Sequence, residues 1–306
     1  MSNKVFISGS IAFDVIFSVD QDFKDAIVLE NGKISNFNAM YLANEKKENR
    51  GGTAGNIAFW LGQNACKSTV FSAFGEDFFE KGYFDVLDKL GVDVIGPKGD
   101  FTATAYMISD ISMDQLIIWQ PNSYNLHYSS DLLEYIEPNK LLDFSYAIFS
   151  PGNSDTIFRE MSYFAEHAPR VVRIFDPGQM IKFFDEKSFM DCLNLANIII
   201  GNEVEFEFFS KFEIDSNSDI LKIRTLGSKG AELVWKGHKI QLPASFVEKV
   251  VETTGAGDCF RAGFISSLLK NDILDYDSFT LEKLEIALKS GLDLSAKSVA
   301  LTSAQF

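Results

Sequence analysis

The segment Thr253–Asp258 has the residue types and spacing best suited to a chemical reaction. Gly255 and Gly257 allow backbone conformations that a side chain would hinder, so the chain can approach an anion closely. The apolar residues that follow recur at helical spacing, which indicates a buried helix whose free N–H groups point toward one place. Asp258 stands where it could accept the proton of an attacking hydroxyl, so the segment predicts phosphoryl transfer. Taken alone, a glycine turn with Asp258 as helix N-cap explains these residues equally well.

Two segments in the first fifth of the chain could bind hydroxyl groups. Asp14 follows the first apolar run, and ligands of open α/β sheets bind at the ends of such strands. Its carboxylate could accept hydrogen bonds from two vicinal hydroxyls of a sugar, although a solvated turn aspartate is as compatible with the pattern. Gly52 and Asn56 open a helical segment with glycine spacing that fits neither a Walker A loop nor a dinucleotide fingerprint. They could hydrogen-bond a polyol, but a tight turn capped by Asn56 is the simpler interpretation.

Two further motifs follow apolar runs in the second half of the chain. Asn202 and Glu205 are three residues apart and could orient a hydrated Mg²⁺ near phosphate oxygens. Taken alone, they are typical of a helix start with acidic residues at its favoured end. Thr225 and Gly227 end another apolar run, where a hairpin turn is the simpler prediction. The functional alternative is a surface that lies along the phosphates and ribose of a nucleotide.

Apolar runs that alternate with helical patterns must position these motifs. Six runs are predicted to be buried strands: Val5–Ser8, Ser68–Ala73, Tyr146–Phe149, Val171–Phe175, Ile198–Ile200 and Lys222–Leu226. The predicted helices between them include Asn56–Leu61, Phe78–Leu90, Thr156–Glu166 and Lys187–Leu195. This alternation predicts an α/β fold with a parallel sheet and helices on both faces, in a three-layer Rossmann-type arrangement.

Two regions depart from the alternation and predict a second, smaller sheet. Residues 15–48 carry short alternating segments with turn residues, and residues 101–121 have the pattern of a hairpin. Together they predict a small, discontinuous β lid inserted into the α/β body. We therefore expect one domain over residues 1–306 that contains this lid.

Composition excludes several classes of protein. The 306 residues carry a formal charge of −15, which disfavours binding to nucleic acid or to an anionic membrane. The three cysteines are far apart in sequence and do not cluster with the three histidines, so a disulfide framework and a zinc site are not expected. The apolar runs are too short to span a bilayer, and the N-terminal run is predicted to be a strand rather than a signal peptide. We expect a cytoplasmic protein.

In their order along the chain, the five motifs resemble those of the ribokinase-like (phosphofructokinase-B) family of carbohydrate and nucleoside kinases. The motifs are Gly-Ser-x-x-x-Asp, Gly-Gly-x-x-Gly-Asn, Asn-x-x-Glu, Thr-Leu-Gly-x-Lys-Gly and Thr-Gly-Ala-Gly-Asp. The resemblance extends over essentially the whole chain and includes the lid. It implies a ribokinase-like fold and a phosphotransferase that uses ATP and Mg²⁺.

The resemblance also implies a role for each candidate residue. Asp258 would be the catalytic base, and the backbone amides of Gly255, Ala256 and Gly257 would receive the migrating phosphoryl group. Asn202 and Glu205 would position Mg²⁺ and phosphates, with Glu205 acting through water; Thr225 and Gly227 would line the nucleotide. Asp14, Gly52 and Asn56 would hold the hydroxyls of the acceptor. Because Asp258 lies at a helix N-terminus, we expect its pKa to be low.

The acceptor is predicted from the lid and from an absent lysine. No lysine lies between Gly52 and Asn56, where ribokinases and sugar-phosphate kinases of the family often carry one, so an uncharged acceptor is expected. The segment 102–117 resembles that of prokaryotic adenosine and nucleoside kinases, which implies transfer to the 5′ hydroxyl of adenosine or a related purine nucleoside. Five aromatic residues could stack on a base: Phe13, Phe37, Phe101, Tyr106 and Trp119. The alternatives are a sugar kinase for ribose, fructose or 2-keto-3-deoxygluconate and a non-catalytic binding protein.

Two further expectations concern a cation and a partner subunit. Glu252 stands where the family usually has an aspartate of a monovalent-cation loop, so dependence on K⁺ is left open. Asp176 and Pro177 match a family Asp-Pro pair, without the asparagine that often follows. The lid would expose sheet edges, and such edges are often covered by a second subunit. A homodimer through the lid is therefore expected.

Overall fold

The computed structural model describes residues 4–30, 33–37, 40–112, 114–212, 219–301 and 303–305. Within them the main sheet has nine strands. In chain order these are β1 (Lys4–Ser8), β6 (Lys67–Phe71), β7 (Val92–Ile95), β10 (Phe144–Phe149), β11 (Val172–Phe175), β12 (Ile198–Asn202), β13 (Leu221–Thr225), β14 (Ala231–Trp235) and β15 (His238–Leu242). Their spatial order is β15-β14-β13-β12-β11-β10-β1-β6-β7. In the spatial order of this sheet, every neighbouring pair from β13 across to β7 is parallel. The strand β14 is antiparallel to both of its neighbours, β13 and β15.

Helices cover both faces of this sheet. They are α1 (Thr53–Gln63), α2 (Asp77–Glu80), α3 (Tyr83–Lys89), α4 (Tyr124–Ser129), α5 (Ser154–His167), α6 (Glu186–Leu195), α7 (Glu203–Phe209), α8 (Ala256–Lys270) and α9 (Leu281–Ser298). One apolar core joins α1, α3, α8 and α9 to one face of the strands, and a second core joins α5, α6 and α7 to the other. Val5 and Ile7 point into the first core and Phe6 into the second, as the period of a strand requires. The predicted three-layer α/β fold is confirmed.

A separate four-stranded sheet forms the lid, in the order β5-β2-β8-β9. Its strands are β2 (Ala12–Val19), β5 (Ala43–Gly51), β8 (Ala103–Ser109) and β9 (Gln115–Gln120). The hairpin of β8 and β9 confirms the pattern seen in the sequence, and β2 joins the two segments by pairing with β5 and β8. A two-stranded hairpin, β3 (Ile27–Glu30) and β4 (Lys33–Phe37), lies between β2 and β5 in the chain. The single domain of residues 1–306, with lid limits at 15–48 and 101–121, stays a prediction.

One predicted helix is divided in the structure. The pattern Phe78–Leu90 predicted a single helix, but α2 ends at Glu80 and α3 begins at Tyr83. Gly82 lies between them with a φ of 67°, a left-handed conformation that interrupts the helical hydrogen-bond ladder.

None of the described helices is long and apolar enough for a transmembrane span.

Candidate active site

The turn that opens α8 places Asp258 at the carboxyl end of the parallel sheet. Gly255 is the N-cap residue with a φ of 77°, which favours glycine, and a Cβ there would lie 2.6 Å from the Cβ of Ala304. The N–H of Ala256 donates to the carbonyl of Thr253 at 3.2 Å, so this amide is engaged within the turn. Glu252 stabilises the preceding loop, because its Oε1 accepts from the N–H groups of Thr253 and Thr254 at 2.9 and 3.0 Å.

Asp258 is partly buried, and its environment opposes ionisation. Burial raises the pKa of its carboxyl to about 6, although the charge of Arg261 and a hydrogen bond from Asn56 act in the other direction. The Nδ2 of Asn56 donates to Oδ2 of Asp258 at 2.8 Å. Our expectation of a low pKa was wrong, because the helix N-terminus is a weaker influence than desolvation in this position.

Asn56 is held in place by residues from three other parts of the chain. The Nε2 of Gln305 donates to Oδ1 of Asn56 at 2.9 Å and to the hydroxyl of Tyr83 at 2.5 Å. The Tyr83 hydroxyl in turn donates to the carbonyl of Gly51, the last residue of β5, at 2.8 Å. Asn56 lies in the first turn of α1 and does not cap it, so the simpler interpretation of this motif was wrong. The network links Asp258 to the base of the lid.

Gly52 allows the start of α1 to approach the segment before β2. It is the N-cap residue with a φ of 83°, and a Cβ there would lie 2.5 Å from the carbonyl oxygen of Ser10. That carbonyl accepts from the N–H groups of Ala54 and Gly55 at 3.0 and 3.2 Å. Gly52 therefore fixes the relative position of α1 and the lid strand that carries Asp14.

Asp14 lies on β2 itself, with its carboxyl on the side of the lid that faces Asp258. Burial raises its pKa to about 7, and the charge of Asp258 adds to the effect. Gly51 is close by, since a Cβ at that position would lie 2.2 Å from Oδ2 of Asp14. Among the described residues, no hydrogen-bond donor to the Asp14 carboxyl is seen. Asp14 is thus no solvated turn residue, and the site holds two carboxyls of raised pKa that are close enough for one to affect the other.

Asn202 and Glu205 form a reciprocal cap at the start of α7. Oδ1 of Asn202 accepts from the N–H of Glu205 at 2.8 Å, and Oε2 of Glu205 accepts from the N–H of Asn202 at 2.7 Å. Glu205 is 6% exposed, and burial and the charge of Asp176 raise its pKa. Its second carboxylate oxygen is not used by the cap. This buried oxygen fits the water-mediated contact to Mg²⁺ that the motif suggests.

Thr225 and Gly227 lie at the neighbouring strand end, where β13 turns into β14. The hydroxyl of Thr225 donates to the carbonyl of Gly201 at 3.4 Å, and Gly227 begins a short 3₁₀ turn with a φ of 57°. A Cβ at Gly227 would meet no atom within 4 Å. The hairpin prediction is confirmed, and the turn is open toward the carboxyl end of the sheet.

Four residues of the site were missed or undervalued by sequence reasoning. Tyr83 and Gln305 belong to the network around Asn56, and Arg261 and Asp176 form a buried ion pair beside Asp258. Arg261 carried a signal, because it is a charged residue within the otherwise uncharged segment Cys259–Leu269 of α8, whose residues are all buried. Asp176 appeared only as part of an Asp-Pro pair, and nothing marked Tyr83 or Gln305.

The lid places the candidate stacking residues on different faces. Trp119 pairs through Ala105 with Asp14, so these side chains share the face toward Asp258. Tyr106 pairs with Val15 and lies on the opposite face, as does the buried Phe13. Phe101 precedes β8 and is exposed, and the side chain of Phe37 lies outside the described residues. Among the four of these residues whose side chains are described, Trp119 is the one that shares a lid face with Asp14.

Comparisons with known proteins agree over most of the chain. The sequence profile of the pfkB family carbohydrate kinases matches residues 16–306. A nucleoside kinase of Methanocaldococcus jannaschii is 27% identical over 275 residues, which cover 87% of this chain and 84% of that protein. Probable fructokinase-5 of Arabidopsis thaliana is 27% identical over 267 residues, covering 79% and 80%. The structure of Burkholderia thailandensis nucleoside kinase in complex with inosine has a TM-score of 0.78 at 25% identity, covering 98% of this chain and 92% of that one.

Proposed function

This chain belongs to the pfkB family of carbohydrate kinases, and we propose that it transfers the γ-phosphoryl group of ATP to the primary (5′) hydroxyl of a purine nucleoside, adenosine or a relative of it. As a member of this family it is a phosphotransferase with an alcohol group as acceptor. The identity of the acceptor and the roles of individual residues belong to the proposal.

One observation carries the proposal: the carboxyl of Asp14 on the lid lies near enough to that of Asp258 on the body to be affected by its charge, and burial raises the pKa of both. Two such groups are costly to keep in a folded protein unless a ligand uses them. Vicinal ribose hydroxyls would donate to Asp14, and the primary hydroxyl would donate to Asp258. Asn56 would fix the orientation of the Asp258 carboxyl through the hydrogen bond already present.

Alignment and charge stabilisation account for the reaction. Asp258 would take the hydroxyl proton late, as bond formation to phosphorus makes the hydroxyl more acidic in a loose transition state. The amides of Gly255, Ala256 and Gly257 would receive the charge of the phosphoryl oxygens, and the amide of Ala256 would exchange its contact to Thr253 for the ligand. Gly52 and Asn56 would position the acceptor, and Thr225 and Gly227 would line the nucleotide.

Magnesium would be held through water by Glu205, with Asn202 fixing the position of that carboxylate. The ion would neutralise negative charge on the phosphates. Among the described residues there is no group of three or more side chains that would bind a metal directly, which suits an ion held mainly by water and phosphate. The Glu252 carboxylate accepts hydrogen bonds from the loop that it stabilises, which disfavours a K⁺ site at this residue.

The lid supports a nucleoside over a free sugar. Trp119 and Ile117 lie on the face of the lid toward Asp14 and are 41% and 52% exposed, so they offer an apolar surface to a base. The relative from Burkholderia thailandensis was solved with inosine. A sugar kinase is the second candidate, because the fructokinase relative is as identical to this chain as the nucleoside kinase from Methanocaldococcus jannaschii.

The lid also supports a homodimer. Every residue of the edge strand β9 is exposed, including Leu116, Ile117 and Ile118. Apolar residues on an open strand edge favour association with a second copy of the chain. Sedimentation equilibrium would show a dimer, and Ile118→Lys, on the lid face away from Asp14, would shift it toward monomer. A monomer at micromolar concentration would contradict this part of the proposal.

The acceptor is tested by ATP- and Mg²⁺-dependent phosphorylation of a panel of nucleosides and free sugars, compared by kcat/KM. Adenosine, inosine or guanosine should be preferred. A preference for ribose or fructose would overturn the nucleoside assignment and leave the roles of Asp14 and Asp258 in place. Absence of turnover with every acceptor, in a folded protein that binds ATP, would favour a non-catalytic role.

A further inference from the structure

Helix α8 carries a charged side chain where its neighbours are apolar. Arg261 is 8% exposed, and its stem lies over isoleucines of the central strands, including Ile174 and Ile200. A guanidinium buried in this way is costly unless a carboxylate accepts its N–H groups in the matching fork geometry. Asp176, which is fully buried, provides this partner: its Oδ2 accepts from Nε and its Oδ1 from one terminal nitrogen, the latter at 2.7 Å.

The two partners come from the elements that must be aligned for phosphoryl transfer. Asp176 directly follows β11 at the carboxyl end of the parallel sheet, where ligands of such sheets bind. Arg261 lies three residues after Asp258, on the next turn of α8. The ion pair therefore fixes the first turn of α8, with Asp258 on it, against the sheet.

The remaining nitrogen of the guanidinium lies against the glycine-rich turn. A Cβ at Gly257 would lie 2.8 Å from the terminal nitrogen of Arg261 that Asp176 does not use. That nitrogen has no hydrogen-bond partner within the described ranges of the chain. The missing side chain of Gly257 thus provides the space in which the guanidinium approaches the backbone of the turn.

We propose that Asp176 and Arg261 form a positioning unit of the transfer site, in which Asp176 orients Arg261 and Arg261 supports, from beneath Gly257, the turn that receives the phosphoryl group. This inference rests on the proposed function and gives a role there to Arg261, which no sequence motif indicated, and to Asp176, which was noted only as part of an Asp-Pro pair. Arg261 acts through the turn and through Asp258, so it is a positioning residue rather than a catalytic one.

The charges around Asp258 give the unit a measurable effect. The titratable groups that face Asp258 from the surrounding elements are Asp14 on β2, Tyr83 on α3, Asp176 after β11, Glu205 on α7 and Arg261 on α8. Arg261 is the cation in this set, and its charge lowers the pKa of Asp258 against burial and the carboxylates of Asp176 and Glu205. Without the guanidinium, a larger fraction of Asp258 would be protonated at neutral pH.

The kinetic test compares Arg261→Gln with Arg261→Lys. Arg261→Gln should lower kcat at least about tenfold, with the acceptor KM changed less than about threefold, because alignment and charge are lost but the acceptor contacts remain. The acidic limb of its kcat–pH profile should move to higher pH by at least about half a unit. Arg261→Lys retains the charge without the fork, so its limb should stay in place while kcat falls.

Arg173→Gln is a matched control for loss of a partly buried arginine. Arg173 lies on β11 and donates to the backbone carbonyls of Leu195, Val171 and Pro169, away from Asp258. Its replacement should leave the acidic limb of the profile unchanged, whatever it does to thermal stability. Equal effects of Arg173→Gln and Arg261→Gln on kcat and on the limb would overturn the proposal.

A second readout does not depend on turnover. In ¹³C-aspartate-labelled protein, the Asp258 carboxyl signal, assigned by its loss in Asp258→Asn, should titrate at higher pH in Arg261→Gln than in the wild type and Arg261→Lys. Unchanged titration in Arg261→Gln would overturn the proposal even if the wild type is an active kinase. The expected shift in a protein that phosphorylates no acceptor would support the positioning unit and refute the proposed function. If Arg261→Gln does not fold, Arg261→Lys provides the test by itself. A shift of the acidic limb of its kcat–pH profile to higher pH, together with the loss of kcat, would overturn the role assigned to the charge.

Discussion

The proposed acceptor side and the proposed nucleotide side of the site are built in different ways. On the acceptor side, hydrogen bonds join Asn56 to Asp258 and Gln305 across 202 and 249 positions of sequence, and Asn56 and Gln305 are buried. On the nucleotide side, Asn202 and Glu205 bind each other across three positions, and Gly227 begins a turn open to solvent. The proposed acceptor side is preorganised by tertiary contacts, whereas the proposed nucleotide side consists of local caps and turns.

The strongest test of the acceptor side is Asp258→Asn. If Asp258 is the base, kcat should fall at least about a hundredfold, while binding of both ligands largely persists. Asp155→Asn, in the exposed first turn of α5, is the matched control and should leave kcat unchanged. Turnover close to wild type in Asp258→Asn, measured at saturating ligands, would remove Asp258 from the mechanism.

A pH profile tests whether burial controls the base. Since the pKa of Asp258 is raised to about 6, kcat should fall about tenfold per unit below that pH, because only the carboxylate accepts the proton. The raised value also means that the ionised form destabilises the folded state at pH 8. Asp258→Asn should therefore raise Tm at pH 8, and this gain should disappear below about pH 4, where both states are protonated. An acidic limb near pH 4 in the kcat–pH profile would contradict the desolvated environment assigned to Asp258.

Asp14→Asn separates the acceptor side from the nucleotide side. Loss of charge-assisted hydrogen bonds to hydroxyls should raise the acceptor KM about tenfold or more, with the KM for ATP nearly unchanged. Initial rates with each ligand varied in turn provide the measurement. An unchanged acceptor KM, or equal increases for both ligands, would show that Asp14 does not hold the acceptor.

Glu205→Gln tests the nucleotide side of the site, as Asp14→Asn tests the acceptor side. Gln can still accept from the N–H of Asn202, so the start of α7 should be retained. Loss of the charge should raise the Mg²⁺ concentration needed for half-maximal rate about tenfold, without a change in the acceptor KM. Circular dichroism checks the fold. An effect confined to the acceptor KM would refute the division of the site into two sides.

Tyr83→Phe has the smallest expected effect and tests the preorganised network. Removing the hydroxyl leaves the carbonyl of Gly51 without its donor, so the free energy of unfolding should fall by about 1 kcal/mol. The value of kcat should change less than about threefold, because Gln305 still donates to Asn56. Urea unfolding measures the free energy of unfolding. A hundredfold loss of kcat would instead indicate that Tyr83 takes part in the reaction.

The difference between the two sides, tertiary contacts on one and local caps and turns on the other, explains which parts of the site could be predicted from sequence. The nucleotide side was predicted as helix cap and hairpin turn, and the structure agrees, because caps and turns depend on residues within about four positions. On the acceptor side, Asp14 and Asn56 were recognised, but their local alternatives, a solvated turn and a cap, were wrong. Gln305 and Tyr83 gave no signal, since their roles depend only on what packs beside them.

The sequence by itself determined the alternation of strands and helices, the lid hairpin and the glycine-rich turn that carries Asp258, because hydrophobic period and glycine placement act locally. Only the tertiary structure decided that the pKa of Asp258 is raised rather than lowered, and that Arg261 pairs with Asp176 beside it. Desolvation and ion pairing depend on elements brought together from distant parts of the chain. No pattern in a single segment reports them.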